Sequence, residues 1–166
     1  MNIKRIIISG SLTFAFACIF HFLYELVPNF IFSIFFPVNE SIFEHLKLIF
    51  TSSLVSSLIL SFFYKEKNNF FILYLKAIFN IFLLLILYLP LRYIFGEILV
   101  ITLIVLFISN IGSEVFLQLL LKDDFVSLNK FGIVLIIITY FIFTYFTYFP
   151  LKKFLFYDIM HNRYGI

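Results

Sequence analysis

The chain has one cysteine, no tryptophan, four prolines and five glycines in 166 residues, and only 13% of it is charged. A lone Cys18 excludes an intrachain disulfide and any metal site built from several cysteines. Set in an apolar run, it reads as a small core residue. The shortage of charge is more telling. A soluble domain carries about 25% charged residues, whereas this chain is 63% hydrophobic, holds 27 phenylalanines and has a mean hydropathy of +1.12. No water-soluble fold hides so much Phe, Ile and Leu. The alternating segments of about ten residues that mark a membrane β-barrel are missing too. The net charge of +3 is spread through short loops, so no basic patch for nucleic acid forms. The first apolar stretch exceeds the roughly 7–15 residues of a signal-peptide core and lacks a small-x-small cleavage pattern, so it reads as a retained helix.

What remains is a run of long apolar segments, each near the roughly 20 residues a helix needs to cross a bilayer. The expected fold is all-α, a single polytopic bundle of about five spans at 6–27, 39–64, 70–91, 97–121 and 131–149, with a mixed tail at 150–166. Pro28-Asn29 stops the first span. Residues 30–36 are apolar but too short to cross, and read as an interfacial segment closed by Pro37 before span two. Two start signals compete for span two: Ser41-x-x-Glu44 as a capping box, or Asn39 as the N-cap. Lys65-Glu66-Lys67-Asn68-Asn69 forms a polar loop, Pro90 breaks span three near its end, and Lys122-Asp123-Asp124 follows span four. An odd number of spans puts the termini on opposite sides. Lys4, Arg5, Lys65, Lys67, Lys122 and Lys130 share the N-terminal side, against Arg92, Lys152, Lys153 and Arg163 on the other. The excess in short loops places the N-terminus in the cytoplasm of a cell inner membrane.

The densest polar stretch is Pro37-Val38-Asn39-Glu40-Ser41-Ile42-Phe43-Glu44-His45-Leu46-Lys47, with His21 and Glu25 just upstream. Ionisable groups within membrane segments are costly and mark functional candidates by default. His21 and Glu25 share a helical face at i and i+4, as do Glu40 and Glu44, with Lys47 continuing that face. The candidate polar site is His21, Glu25, Asn39, Glu40, Glu44, His45 and Lys47. Within it, His21, Glu25, Glu44 and His45 offer imidazoles and carboxylates to a divalent cation such as zinc. A bound cation would polarise an ester or phosphate, or acidify a water. The rival account gives each group a structural job: Glu44 closes the cap, Glu40 answers the helix dipole, Lys47 pairs with Glu44, and His21 with Glu25. No HExxH or comparable signature decides between them.

A deeper set lies on span four: Asn110, Gly112, Ser113, Glu114 and Gln118. Lys76 on span three sits at a depth matching Glu114, so the two form a candidate buried pair, serving either helix packing or a proton-linked path. Tyr24, Tyr64, Tyr88, Tyr93 and Tyr148 near span ends fit an interfacial belt. Asp158 and His161 in the tail read as solvated groups within reach of the site.

Pro-Val-Asn-Glu-Ser-x-x-Glu-His-x-Lys at 37–47, His21-Phe22-x-Tyr24-Glu25 and the closing Phe156-x-Asp158 … Tyr164-Gly165-Ile166 resemble a family of small bacterial multispanning proteins classed as a domain of unknown function. The resemblance implies a five-helix membrane protein with a common site from His21 to Lys47, and no activity or catalytic residue. The leading expectation is a membrane protein whose Glu/His site near one face binds a cation or a polar head group. Three rivals stand beside it: a metal-assisted hydrolase or transferase acting on a lipid, a proton-coupled small transporter, and a structural or assembly partner. The expected partners are the lipid bilayer and a lipid or small-molecule ligand. An oligomer is compatible with this reading, and nucleic acid is not.

Overall fold

The structure is a computed structural model that describes residues 2–64, 69–120 and 128–166. The expected loop at 65–68 and the Lys122-Asp123-Asp124 stretch lie outside the described residues. The described residues are all-α apart from a hairpin of two two-residue strands in the tail. Helix α1 runs Ile3–His21, α2 Leu23–Leu26, α3 Phe30–Phe35, α4 Ile42–Phe63, α5 Phe70–Phe95, α6 Leu99–Leu120 and α7 Asn129–Tyr148. Among the described residues five helices are long and apolar enough to cross a membrane: α1 with α2, then α4, α5, α6 and α7.

Two boundaries differ from those expected, and a choice left open at a third is decided. The first span does not continue smoothly to residue 27, because the chain leaves α1 at Phe22 and restarts as α2, which has no buried residue. Helix α5 passes through Pro90 to Phe95. A proline removes one backbone donor, and in a membrane helix neighbouring groups absorb that loss. Gly96, at φ 75°, ends the helix in the left-handed region open to glycine. The N-cap of α4 is Ser41 and not Asn39, its hydroxyl accepting from the Glu44 N–H. Only half of the capping box forms, since the Glu44 carboxylate turns back to the Val38 N–H at 3.1 Å. The 30–36 segment is the short helix α3, capped by the Asn29 side chain and packed on α4 and α7.

Helix α4 is the axis of the bundle. It is 72% buried over its apolar window, against 17–33% for the other spans. Helices α1, α5 and α7 pack around it, and α6 closes the ring against α1 and α5. The inward face of α4 is rich in hydroxyls: Ser52, Ser53, Ser56, Ser57 and Ser61 are all buried. In an apolar bundle their unpaired hydroxyls would be costly. Ser52, Ser57 and Ser61 bond the carbonyls of Leu48, Ser53 and Ser57 one turn back, at 2.6–2.7 Å. Their small size lets neighbouring backbones come close. An apolar cluster around Phe50, Leu54, Leu73, Ala77, Leu117 and Phe143 fills the rest. Much of the outer surface is exposed Ile, Leu and Phe, as expected of helices that meet lipid.

After α7 the tail turns back. A 3-10 turn at Phe154–Phe156 leads to β1, Tyr157–Asp158, paired antiparallel with β2, Arg163–Tyr164. Phe156 packs on Phe43 at the start of α4, the rings tilted by 33° with centroids 4.6 Å apart. The Asn39 amide donates to the Gly165 carbonyl at 2.8 Å. The tail therefore lies over the loop that leads into α4.

Candidate functional site

The helix ends on the C-terminal side bring three of the anticipated groups together. His21 is the last residue of α1, Glu40 sits in the loop before α4, and His45 is in the first turn of α4. The Nε2 atoms of His21 and His45 each lie 3.6 Å from Glu40 Oε2. The two rings meet edge to face with centroids 5.2 Å apart. One ligand atom from each residue falls within 4.8 Å of the other two. All three side chains are about 30% exposed, so they are reachable and partly desolvated.

These three residues line a cavity of about 300 Å³ together with Tyr88, Arg92 and Glu97. Arg92 forms an ion pair with Glu97, and its Nη1 lies 3.3 Å from the Tyr88 hydroxyl. The Phe154 ring lies under its guanidinium, 5.0 Å from centroid to Cζ. Ile49, Leu84 and Leu106 supply apolar lining about two to three turns in from the helix ends, and form the floor. Ile159 and Met160 of the tail hairpin complete the lining.

The expected ligand set of His21, Glu25, Glu44 and His45 does not converge. Glu25 lies on α2, exposed, and is not among the residues whose ligand atoms come together. Glu44 is one helical position from His45, hence about 100° around the axis. It turns into the protein instead, where it is 1% exposed. There it pairs with Lys47 at 2.6 Å and accepts from Thr147 at 2.5 Å. Lys47 is fully buried and also donates to the Ser33 carbonyl at 2.8 Å and to Thr147 at 3.1 Å. Glu44 and Lys47 thus tie α4 to α3 and α7. Asn39 is buried in the loop, bonded to the Ser41 N–H and to Gly165.

The tail does more than lie in solvent. Asp158 is fully buried, its carboxylate accepting from the Met160 and His161 N–H groups and facing His161 Nδ1 at 2.8 Å. Burial alone would push the Asp158 carboxyl up. The His161 ring, the His161 N–H and the Glu40 backbone N–H outweigh that effect and hold it below its ordinary value. The contact with Glu40 matters for the site, because it fixes the backbone that presents the central carboxylate. Nothing in sequence spacing links residue 158 to residue 40.

At the other end of the bundle, Lys76 Nζ lies 2.9 Å from Glu114 Oε2, both groups fully buried. Arg5 Nε meets Glu114 Oε1 at 2.7 Å, and the Ser9 hydroxyl donates to Oε2 at 2.7 Å. Lys76 also donates to Ser9 and Ser57. Gln118 bonds the Asn2 backbone in both directions. Asn110 Oδ1 accepts from Asn80, which donates also to Ser53. Gly112 faces Leu83, and the Ser113 hydroxyl bonds the Asn110 carbonyl. This polar column starts one helical turn beyond the cavity lining, since Ser53, Asn80 and Asn110 lie four residues from Ile49, Leu84 and Leu106.

The model of a family described as "Family of unknown function (DUF6512)" matches residues 1–166. No curated protein and no solved structure matches the chain.

Proposed function

The chain belongs to that family of unknown function, and we propose that its His21/Glu40/His45 cluster binds a divalent transition-metal cation such as zinc at one face of the membrane. One observation carries this reading: three ligand atoms of the types zinc prefers lie within 4.8 Å of one another on a cavity wall. Unprotonated Nε2 atoms and a carboxylate oxygen make a mixed nitrogen and oxygen set suited to zinc and its neighbours. Asp158 supports the loop of Glu40 from behind, as outer partners of metal ligands commonly do. Three protein ligands leave one tetrahedral position open to water or to a substrate oxygen. That open position favours a second reading, metal-assisted hydrolysis or transfer on a lipid.

The buried charges weigh against the transport reading. Lys76 and Glu114 are held by Arg5, Ser9 and Ser57, as groups that lock helices together would be. We read the protein as a multi-pass protein of a cell inner membrane with its N-terminus in the cytoplasm, on the short-loop Lys and Arg excess.

The test is the zinc content of purified protein by mass spectrometry, after reloading and extensive dialysis. The wild type should retain about one zinc per chain. Glu40→Gln and His45→Gln should lose it while keeping their helical circular dichroism. Equal zinc in the wild type and in Glu40→Gln would overturn the reading.

A further inference from the structure

We propose that the ligand of this cavity is a phosphate-bearing anionic amphiphile, its phosphate bridging the bound cation and the Arg92 guanidinium. The inference rests on the cation reading above and adds the class of molecule that the site takes.

Charge is the first argument. Of the groups lining the cavity, Glu40 and Glu97 are negative and Arg92 is positive. The imidazoles are uncharged when they bind a metal. Without a cation the cavity is therefore net negative and repels an anion. A divalent cation reverses the sign, so one extra negative charge is then welcome. The cation and the anion are thus expected to bind together.

The second argument is the form of Arg92. Its side chain is only 12% exposed. It is steered by the Glu97 carboxylate, the Tyr88 hydroxyl and the Phe154 ring. A guanidinium presents five donors in a planar fork matched to phosphate oxygens. Glu97 and the Tyr88 hydroxyl occupy part of that fork, and the guanidinium belongs to the same cavity as the histidine cluster. One phosphate oxygen on the open metal position and another on Arg92 would use both charges.

The third argument is the rest of the lining. Ile49, Leu84 and Leu106 come from α4, α5 and α6, three helices of membrane-spanning length. They form an apolar floor that an inorganic anion would leave unused. A volume of about 300 Å³ is at the low end for small-molecule sites. It admits a head group and the first part of a chain, with the remainder of the molecule left in the lipid.

The test uses full-length protein in mild detergent, stripped with chelator and then reloaded with zinc. The probes are dioleoylphosphatidylglycerol, dioleoylphosphatidylcholine and inorganic phosphate, read by native mass spectrometry for lipid adducts and by thermal shift. Zinc-loaded wild type should retain phosphatidylglycerol over phosphatidylcholine by about tenfold and should melt higher with it. Stripping the zinc should abolish that preference. Arg92→Gln should keep its zinc, which also shows that the cavity is folded, and lose the lipid preference by about tenfold or more. Arg92→Lys should fall between. A preference that survives in Arg92→Gln or in zinc-free protein would overturn the inference. So would a thermal shift from inorganic phosphate alone equal to that from the lipid. A wild type that binds no zinc would sink the cation reading itself. Zinc bound without any Arg92-dependent lipid retention would sink only the amphiphile.

Discussion

Removing Glu114 should damage the bundle more than removing Lys76, although the two are ion-paired. The asymmetry comes from Arg5. In Lys76→Met the Glu114 carboxylate keeps Arg5 at 2.7 Å and the Ser9 hydroxyl at 2.7 Å. Ser57 keeps its bond to the Ser53 carbonyl. The loss is that of hydrogen bonds to a charged group, about 1.5–3 kcal/mol. In Glu114→Gln the fully buried Lys76 loses its carboxylate and is left among hydroxyls beside Arg5, a like charge. Stranding a buried charge costs about 3–5 kcal/mol. The gap of roughly 2 kcal/mol corresponds to roughly 4–8 °C in melting temperature for a chain of this length. The double variant Lys76→Met with Glu114→Gln removes the stranded amine and should melt above Glu114→Gln alone. Thermal unfolding in detergent, followed by circular dichroism, measures all three. If Lys76→Met melts at or below Glu114→Gln, or if the double variant shows the sum of the two losses, Arg5 does not share the carboxylate and the reasoning fails.

Glu44→Gln keeps an acceptor for the Val38 N–H but strands the fully buried Lys47, so it should cost about 3–5 kcal/mol and still bind zinc. Glu40→Gln should show the reverse, loss of zinc with little change in melting temperature when all proteins are compared metal-free; equal metal-free melting losses in the two would join what the structure separates. For orientation, single cysteines at Lys130 and Lys152 in a Cys18→Ala background should label differently in intact cells. An impermeant maleimide is expected to reach position 152 and not 130, and the opposite pattern would place the N-terminus outside. The carboxyl of Asp158 sits below its ordinary value of 3.8. A lowered value stabilises the folded tail above the ordinary range and loses that effect as pH falls through the folded value. Protection of residues 156–166 against hydrogen exchange, taken relative to the intrinsic rate at each pH, should therefore be high at neutral pH and fall as pH drops below 3.8 in the wild type. In Asp158→Asn the protection should be low throughout, and a wild-type tail equally protected at neutral and at strongly acid pH would refute the assignment.

The spans were legible because their signal is length. A run of some twenty apolar residues has few readings, and the helices at 42–63, 70–95, 99–120 and 129–148 fall close to the expected segments. Proline misled at residue 90, since its cost depends on neighbours that local sequence does not show. The interruption of the first helix at Phe22 carried no sequence marker, and the exposure of Glu25 was not legible either. Burial order was also hidden. Hydropathy is lowest for α4, at 1.8 against 2.0–2.5 for the other spans, yet α4 is the most buried. Its serines look polar in sequence but return their hydroxyls to their own backbone. Arg92 and Glu97 could be assigned to the correct side, but not to the cavity. Thr147 and Ser33 gave no sign of their roles, because their partners lie about a hundred residues away or in a different turn, and Asp158, placed within reach of the site, reads as solvated where it is buried.

The close spacing of Glu40, Glu44, His45 and Lys47 looked like one site and is two. Residues 44, 47 and 51 run down one face of α4. Glu44, Lys47 and Thr51 on that face meet Thr147, the Ser33 and Phe35 carbonyls and the Tyr140 hydroxyl. His45, Leu48 and Ile49 lie round the axis and line the cavity. A single residue step of about 100° is enough to send Glu44 into the packing and His45 to the cluster. The division has a physical sense. Glu44 and Lys47 neutralise each other out of solvent, which anchors the start of α4 against α3 and α7. Glu40 and His45 can then remain half-exposed without the helix start having to move. The tail adds the last constraint, since Asp158 reaches the Glu40 backbone and Asn39 holds Gly165. The cluster is thus held from three directions by groups that never touch the cavity, so changing those supports should move the geometry of His21, Glu40 and His45 before it removes any of their ligand atoms.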